Sequence, residues 1–206
     1  MIAVSSLAWL PAAYLLGAVP SSYLLARWMA GVDLREHGSR NVGATNLYRL
    51  LGWKAAIPAG AFDLAKGAVP ALLAVRFGAG PSWWPFVVGL AAVLGHVYSP
   101  FVGFKGGKGV ATAAGVFLAL APASVGAAAV VWVALLRLTG YMSVASMAGA
   151  AVFAAATPLL YPGRAVLVWA ACLLFVFIVF THRSNIGRLL AGTEARFGAR
   201  KTKAGR

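Results

Sequence analysis

Residues 103–112 read GFKGGKGVAT. Lys105 and Lys108 stand three apart, Gly106, Gly107 and Gly109 lie between and just after them, and an apolar run follows. Glycine lets successive backbone N–H groups turn towards one point, and a helix opening behind them adds its positive dipole end, so the stretch suits an anion. Lysine ammonium groups would neutralise the charge that remains. A nucleotide-hydrolysing P-loop needs Gly where Val102 stands and Ser or Thr where Gly109 stands, which excludes that chemistry. The plainer alternative is an interfacial turn whose lysines snorkel towards water.

Two further polar stretches share this vocabulary. EHGSRNVGATNLYR (36–49) gathers Ser39, Asn41, Thr45 and Asn46 around Gly38 and Gly43, and ends on Arg49, whose guanidinium is a two-pronged phosphate donor. A helix cap would use one or two of these side chains, not all of them. HRSNIGRLLAGTE (182–194) adds His182, Arg183, Asn185, Arg188 and Glu194. The chain has only 4 Asp and Glu, so a hard-cation site wanting several carboxylate oxygens is not expected. His37, His96 and His182 lie far apart and make no zinc pattern, and neither metal nor cofactor is expected. The lone Cys172 lies in an apolar run, which rules out an internal disulfide and leaves a thiol that resists ionising.

What must position these groups is a set of membrane helices. Of the 206 residues 61% are hydrophobic and 11% charged, against about 25% charged in a soluble domain. Apolar runs at about 2–28, 55–77, 83–104, 109–136, 141–161 and 164–181 are long enough to cross a bilayer. The 18 Lys and Arg sit mainly in the polar stretches 32–54, 104–109 and 181–206, as topogenic charge on the cytoplasmic side, so the partner implied is lipid and not nucleic acid. If all three stretches face the cytoplasm, the chain crosses an even number of times between the second and the third. Only three runs lie there, and 109–136 is the one to divide, because ALAPASVG (119–126) places a Pro and Gly turn signal in its middle. Each half would be about 14 residues, about 21 Å, and would need a thinned bilayer or shielding by neighbours.

The expectation is therefore an all-α integral membrane protein of about seven transmembrane helices, with five or six as alternatives. Its N-terminus is outside and its C-terminus cytoplasmic, in one polytopic domain over 1–206 with a basic tail from about 195. No basic residue precedes Arg27, so the first run is expected to remain as a span rather than serve as a cleaved leader. FDLAKG (62–67) puts Asp63 and Lys66 on one face of a span: either a functional intramembrane pair or a structural one near the helix end.

GSRNVGATN, GHVYSPFVGFKGGKGVAT and HRSNIGRLLAGTE, in this order and spacing, resemble the three motifs of the bacterial acyl-phosphate:glycerol-3-phosphate acyltransferases, the PlsY family, over nearly the whole chain. The resemblance implies transfer of a fatty acyl group from acyl phosphate to the 1-hydroxyl of glycerol 3-phosphate. The products are 1-acyl-glycerol 3-phosphate and phosphate, with no covalent acyl-enzyme, at the first committed step towards phospholipid. It also implies a seven-helix protein of the bacterial cytoplasmic (inner) membrane with its site facing the cytoplasm. Carried over by motif, Ser39, Arg49, Lys108, Ser143, His182 and Asn185 form the catalytic group. Asn41, Gly43, Thr45, Asn46, His96, Lys105, Gly106, Gly107, Gly109, Thr112, Ser146 and Glu194 complete the substrate site, Ser143 and Ser146 coming from GYMSVAS (140–146).

Within that frame the loop Lys105–Gly109, with Thr45 and Asn46, is expected to hold the phosphoryl group of acyl phosphate. Arg49, Lys108, Ser143 and Asn185 would hold glycerol 3-phosphate, and Glu194 would orient its neighbours. The general base is His182 or a substrate phosphate oxygen. The chain departs from the pattern at Arg40, where the family commonly has Gly, at Gly140, where an Arg often precedes the Tyr, and at Ser99-Pro100, which shifts a proline by one. The acyl-CoA type of glycerol-phosphate acyltransferase, with a His and an Asp five residues on, is excluded: Val42, Phe101 and Gly187 stand at that distance from the three histidines. The remaining rival is an anion transporter or phosphate-binding module, which would carry polar residues through its spans to the midplane.

Overall fold

A computed structural model describes residues 7–78 and 80–198. Ten α-helices lie among the described residues, joined by short loops and turns, and no strand occurs among them. The first apolar run is broken: α1 (Trp9–Ala18) and α2 (Ser21–Ala30) part at Val19–Pro20, because proline has no N–H to continue the ladder. Together they span Trp9–Ala30, long and apolar enough for one crossing. The first polar stretch is not a plain loop. It folds into the amphipathic α3 (Ala44–Leu51), then turns at Gly52, φ 75°, into the long α4 (Trp53–Phe77). α5 (Trp84–Val97) returns to a 3-10 turn at Pro100–Val102 and the glycine loop.

The division expected within 109–136 occurs at Ala121, where Pro122 opens a new helix. Its halves are unequal, however: α6 (Val110–Leu120) has 11 residues and α7 (Pro122–Thr139) has 18. α6 is about 16 Å long, half the roughly 30 Å hydrocarbon core. α8 (Met142–Leu160), α9 (Ala165–Thr181) and the short α10 (Arg183–Leu190) follow. Among the described residues five helical segments are long and apolar enough to cross a membrane, or six if α9 and α10, bent by 56°, count as one. Length and composition thus give five or six, where the sequence led to about seven; the difference lies in the shortness of α6.

Packing explains how so short a helix is held. α6 lies along α4 with backbone against backbone: a Cβ at Gly67 would collide with the Thr112 carbonyl, and one at Gly115 with that of Leu64. Small residues at such contacts are how helices associate in lipid, where no hydrophobic drive separates tail from side chain. α1 packs on α5, and α7 on α8, which leans on α9. α7 buries only Ser124, and the α7–α8 pair meets α6 through Phe153 on Phe117, ring centroids 4.6 Å apart, leaving a gap beside that contact. That gap is a cavity.

Candidate active site

The three polar stretches converge at one end of the bundle. Asn41 Nδ2 donates to the Gly106 carbonyl at 3.4 Å, tying the first to the second. Lys108 Nζ donates to Asn185 Oδ1, and Thr181 Oγ1 to the Lys108 carbonyl at 3.2 Å, tying the second to the third. Arg49 donates to the Ala195 carbonyl at 3.0 Å, tying the first to the third. α3 carries Arg49, the first turn of α8 carries Ser143, α10 carries Asn185, and Lys108 precedes α6.

Glu194 organises this end. Its Oε1 accepts from Asn185 Nδ2 at 2.6 Å and from Ser143 Oγ at 2.9 Å, and its Oε2 pairs with Arg188 Nε at 2.7 Å. Burial alone would raise the Glu194 carboxyl, but these three donors outweigh it and hold it below its usual value. The Lys108 ammonium is pushed down to about 8 by burial and by Arg188 and Arg49, against the pull of Glu194. Burial also lowers the Arg49 guanidinium, whose Nε is buried with no hydrogen-bond partner. One carboxylate against Lys108, Arg49 and Arg188 leaves a positive excess, with a donor still unused.

His182 lies just past the end of α9. Its Nδ1 is 2.8 Å from the Ile178 carbonyl, which can only accept, so Nδ1 carries the proton and Nε2 is left as an acceptor. Burial, then Lys108, push it down to about 4, so the ring is neutral near pH 7.

A cavity of about 1120 Å³ opens from this cluster. Of the residues expected in the site, Ser39, Asn41, Gly43, Thr45, Asn46, Arg49, His96, Lys108, Gly109, Ser143, Ser146, His182, Asn185 and Glu194 line it. Four do not. Lys105 is exposed to solvent. Gly106 and Gly107 face the end of α5, their N–H groups donating to the Val97 and His96 carbonyls at 2.9 and 3.1 Å. Thr112 is fully buried, its backbone carbonyl against Gly67 of α4, and its hydroxyl has no partner. Asn46 reaches the wall but its amide is spent on the loop before it: Oδ1 accepts from Ser39 N, and Nδ2 reaches the carbonyls of Leu34, His37 and Asn41 at 2.9–3.2 Å. It staples the loop, and no polar atom is left for a phosphoryl group.

The sequence did not single out Tyr48, Trp53 or Phe197, which also line the cavity. Phe197 stacks on Tyr48 with ring centroids 4.4 Å apart and meets the edge of Trp53 at 5.5 Å, while its N–H donates to the Gly140 carbonyl at 2.6 Å. Residues 193–198 thus strap α3 to the turn between α7 and α8. Gly140 adopts φ 73°, and the stem of Arg196 lies 3.5 Å from where its Cβ would be, with the guanidinium over Tyr141. Arg188 went unassigned although its spacing from Asn185, three residues on one helix, signalled a shared face. Away from the cations the cavity wall is apolar, formed by Phe117 of α6, Trp132 of α7, Phe153 of α8 and Leu174 of α9 with small residues between. Among the described residues no three His, Cys, Asp or Glu side chains gather as a metal site.

A positively charged mouth on an apolar trough is the shape and polarity of an amphiphile with an anionic head. Likeness to known proteins agrees in kind. The profile of the family described as glycerol-3-phosphate acyltransferase matches residues 7–192. The glycerol-3-phosphate acyltransferase of Trichlorobacter lovleyi is 46% identical over 198 residues, 95% of this chain and 99% of that one. That of Geobacter sulfurreducens is 47% identical over 191 residues, 91% of this chain and 95% of that one. The crystal structure of PlsY (YgiH), an integral membrane glycerol 3-phosphate acyltransferase, in its glycerol 3-phosphate form has a TM-score of 0.87 at 42% identity, covering 94% of this chain and 96% of that chain. Its lysophosphatidic acid form gives 0.85 at 40%. With likeness of this depth in sequence and backbone alike, the chain belongs to the glycerol-3-phosphate acyltransferase family.

Proposed function

We propose that the protein transfers a fatty acyl group from acyl phosphate to the 1-hydroxyl of glycerol 3-phosphate, releasing phosphate, without a covalent acyl-enzyme. The observation that supports it most is the cluster of Lys108, Arg49 and Arg188 around one carboxylate at the mouth of an apolar trough. An acyl phosphate is a mixed anhydride and needs no enzyme nucleophile. What it needs is a second phosphate-bearing molecule held beside it despite repulsion, and orientation of that kind supplies about 7–11 kcal/mol.

The acyl chain lies in the trough, with the phosphoryl group at Lys108 and Gly109, the end of the glycine loop that lines the cavity. Arg49, Ser143 and Asn185 hold glycerol 3-phosphate, and Glu194 sets the angles of Ser143 and Asn185. The hydroxyl oxygen attacks the acyl carbon, the carbon–oxygen bond to phosphate breaks, and phosphate leaves with the electron pair, its growing charge met by the cations. The hydroxyl proton goes to a phosphate oxygen: a phosphate monoester titrates near pH 6, whereas His182, at about 4, is the weaker base. His182 Nε2 then orients a substrate group.

We read the topology as seven passes. The polar stretches meet through Asn41–Gly106 and Lys108–Asn185, so an even number of segments separates each pair, and α6 counts as one despite its length. With the basic stretches taken as cytoplasmic, we read the N-terminus as outside and the site as facing the cytoplasm across a bacterial inner membrane. The basic tail, most of it beyond the described residues, would rest on lipid.

The experiment is phosphate release from palmitoyl phosphate by purified protein, with and without glycerol 3-phosphate. Release that requires glycerol 3-phosphate and yields the 1-acyl product without CoA is expected. A folded protein that releases none, but carries labelled phosphate into proteoliposomes, would be the anion transporter instead.

A further inference from the structure

The pair Asp63–Lys66 has no part in the chemistry above. Lys66 Nζ lies 2.8 Å from Asp63 Oδ1, with side chains 1% and 3% exposed. Such a pair is no better for stability than a well-packed apolar couple, so its surroundings matter. It joins four elements. Lys66 Nζ also donates to the Val19 carbonyl at 2.8 Å, at the break between α1 and α2. Ser21 Oγ, in the first turn of α2, donates to Asp63 Oδ1 at 2.8 Å. His96 Nδ1, in the last turn of α5, lies 3.6 Å from the same oxygen.

The other side of His96 meets the glycine loop. Gly107 N donates to its carbonyl at 3.1 Å, and a Cβ at Gly107 would collide with Nε2 of its ring. Asn41 Nδ2 holds the Gly106 carbonyl. The two glycines are therefore seated against the imidazole, and the imidazole is set by the carboxylate behind it. The carboxylate stands 3.6 Å from Nδ1, beyond hydrogen-bond length, and limits how the ring can turn.

We propose that Asp63, with Lys66 as its counter-charge, is a positioning residue for acyl transfer, acting through His96 on the Gly106–Gly107 backbone beside the phosphoryl site. This rests on the function proposed above. Displacing the ring lets the loop shift and carries Lys108 and Gly109 with it, and the cost falls on the phosphoryl group beside them rather than on glycerol 3-phosphate.

The test uses the full chain in lipid nanodiscs, with Asp63→Asn, His96→Gln and the two combined. KM for palmitoyl phosphate, kcat, and binding of inorganic phosphate by equilibrium dialysis are measured. Asp63→Asn is expected to weaken phosphate binding and raise the acyl-phosphate KM about tenfold, the low end of what losing an orienting group behind a binding residue costs. The glycerol 3-phosphate KM should change far less, and the combined variant should be no worse than His96→Gln alone. Effects of the two substitutions that multiply, or a folded Asp63→Asn with both constants unchanged, would overturn the proposal. If Asp63→Asn does not fold, Asp63→Asn with Lys66→Met removes both charges together, and the same changes in binding and KM support or overturn the proposal there. Wild-type protein that binds phosphate yet releases none from palmitoyl phosphate would fail the donor assignment alone, and the binding comparison would still decide the role of Asp63. Wild-type protein that binds no phosphate would overturn both.

Discussion

The molecule holds two polar centres built on opposite plans. Around Asp63 everything is closed: Lys66 and His96 answer the carboxylate, and Lys66 and Ser99 take the Val19 and Ala18 carbonyls left over where α1 breaks. Around Glu194 the balance is open: Lys108, Arg49 and Arg188 share one carboxylate, and Arg49 Nε has no partner. A charge taken out of water must be answered by something. In the first centre the protein supplies the answer, and in the second the substrate does. Removing a cation should therefore unfold the protein at the closed centre, and at the open one should cost catalysis while the fold survives.

The same substitution in both centres is the strongest way to break that contrast. Lys66→Met leaves Asp63 buried without its main counter-charge and should cost about 3–5 kcal/mol of stability, seen in thermal unfolding in detergent. Lys108→Met removes a cation that the fold does not need, and should leave unfolding unchanged while turnover falls about 10²–10³-fold. A stable Lys66→Met, or an unfolded Lys108→Met, would invert the comparison.

Titration sharpens it. Lys108 binds an anion only while protonated, and its value of about 8 in the empty site puts an alkaline limb there. kcat/KM, which reports the free enzyme, should be level between about pH 6 and pH 8 and fall about tenfold per unit above it. Lys108→Arg should move the limb out of range, because a guanidinium does not deprotonate. An acidic limb near pH 6 belongs to substrate phosphate and should persist in His182→Asn; its loss in that variant would return the histidine to the role of base.

These contrasts show what the sequence could and could not disclose. The glycine loop, the polar stretches and the division at Ala121 are local chemistry: Gly and Pro act on their own backbone, and charge keeps to the ends of spans. The fate of Asn46 and Thr112 is not local. Both read as ligands, yet Asn46 is consumed by carbonyls of the loop it follows, and Thr112 is buried where its own carbonyl packs on Gly67 of α4. Periodicity tells which residues share a face, and only the fold tells what that face meets. Proline at 20 was visible as a breaker, but nothing nearby announced that Lys66 would cap the break. The aromatic strap joins residues far apart in the chain, so spacing could not reveal it.

The strap offers a milder test. Phe197→Ala removes two ring contacts, each worth about 0.5–1.5 kcal/mol, and should lower stability by about that amount. It also loosens the Ala195 carbonyl that holds Arg49, so the glycerol 3-phosphate KM should rise several-fold with kcat little changed. A lower KM would mean that the strap competes with substrate for Arg49.

The smallest effect concerns Arg40, which departs from the expected glycine while keeping a glycine's backbone. Its φ is 60°, in the left-handed region. A side chain there costs roughly 1–2 kcal/mol, and glycine's greater freedom when unfolded costs back about 0.5–1. Arg40→Gly should therefore stabilise the protein by at most about 1.5 kcal/mol. Turnover should hold, since Arg40 is exposed and does not line the cavity. Arg40→Ala separates backbone from charge: it removes the cation but keeps the Cβ, and should gain nothing. Equal stabilisation by Ala and Gly would show that repulsion among the cations at the mouth, and not the left-handed backbone, is what Arg40 costs, and the open centre would then carry a stability penalty of its own.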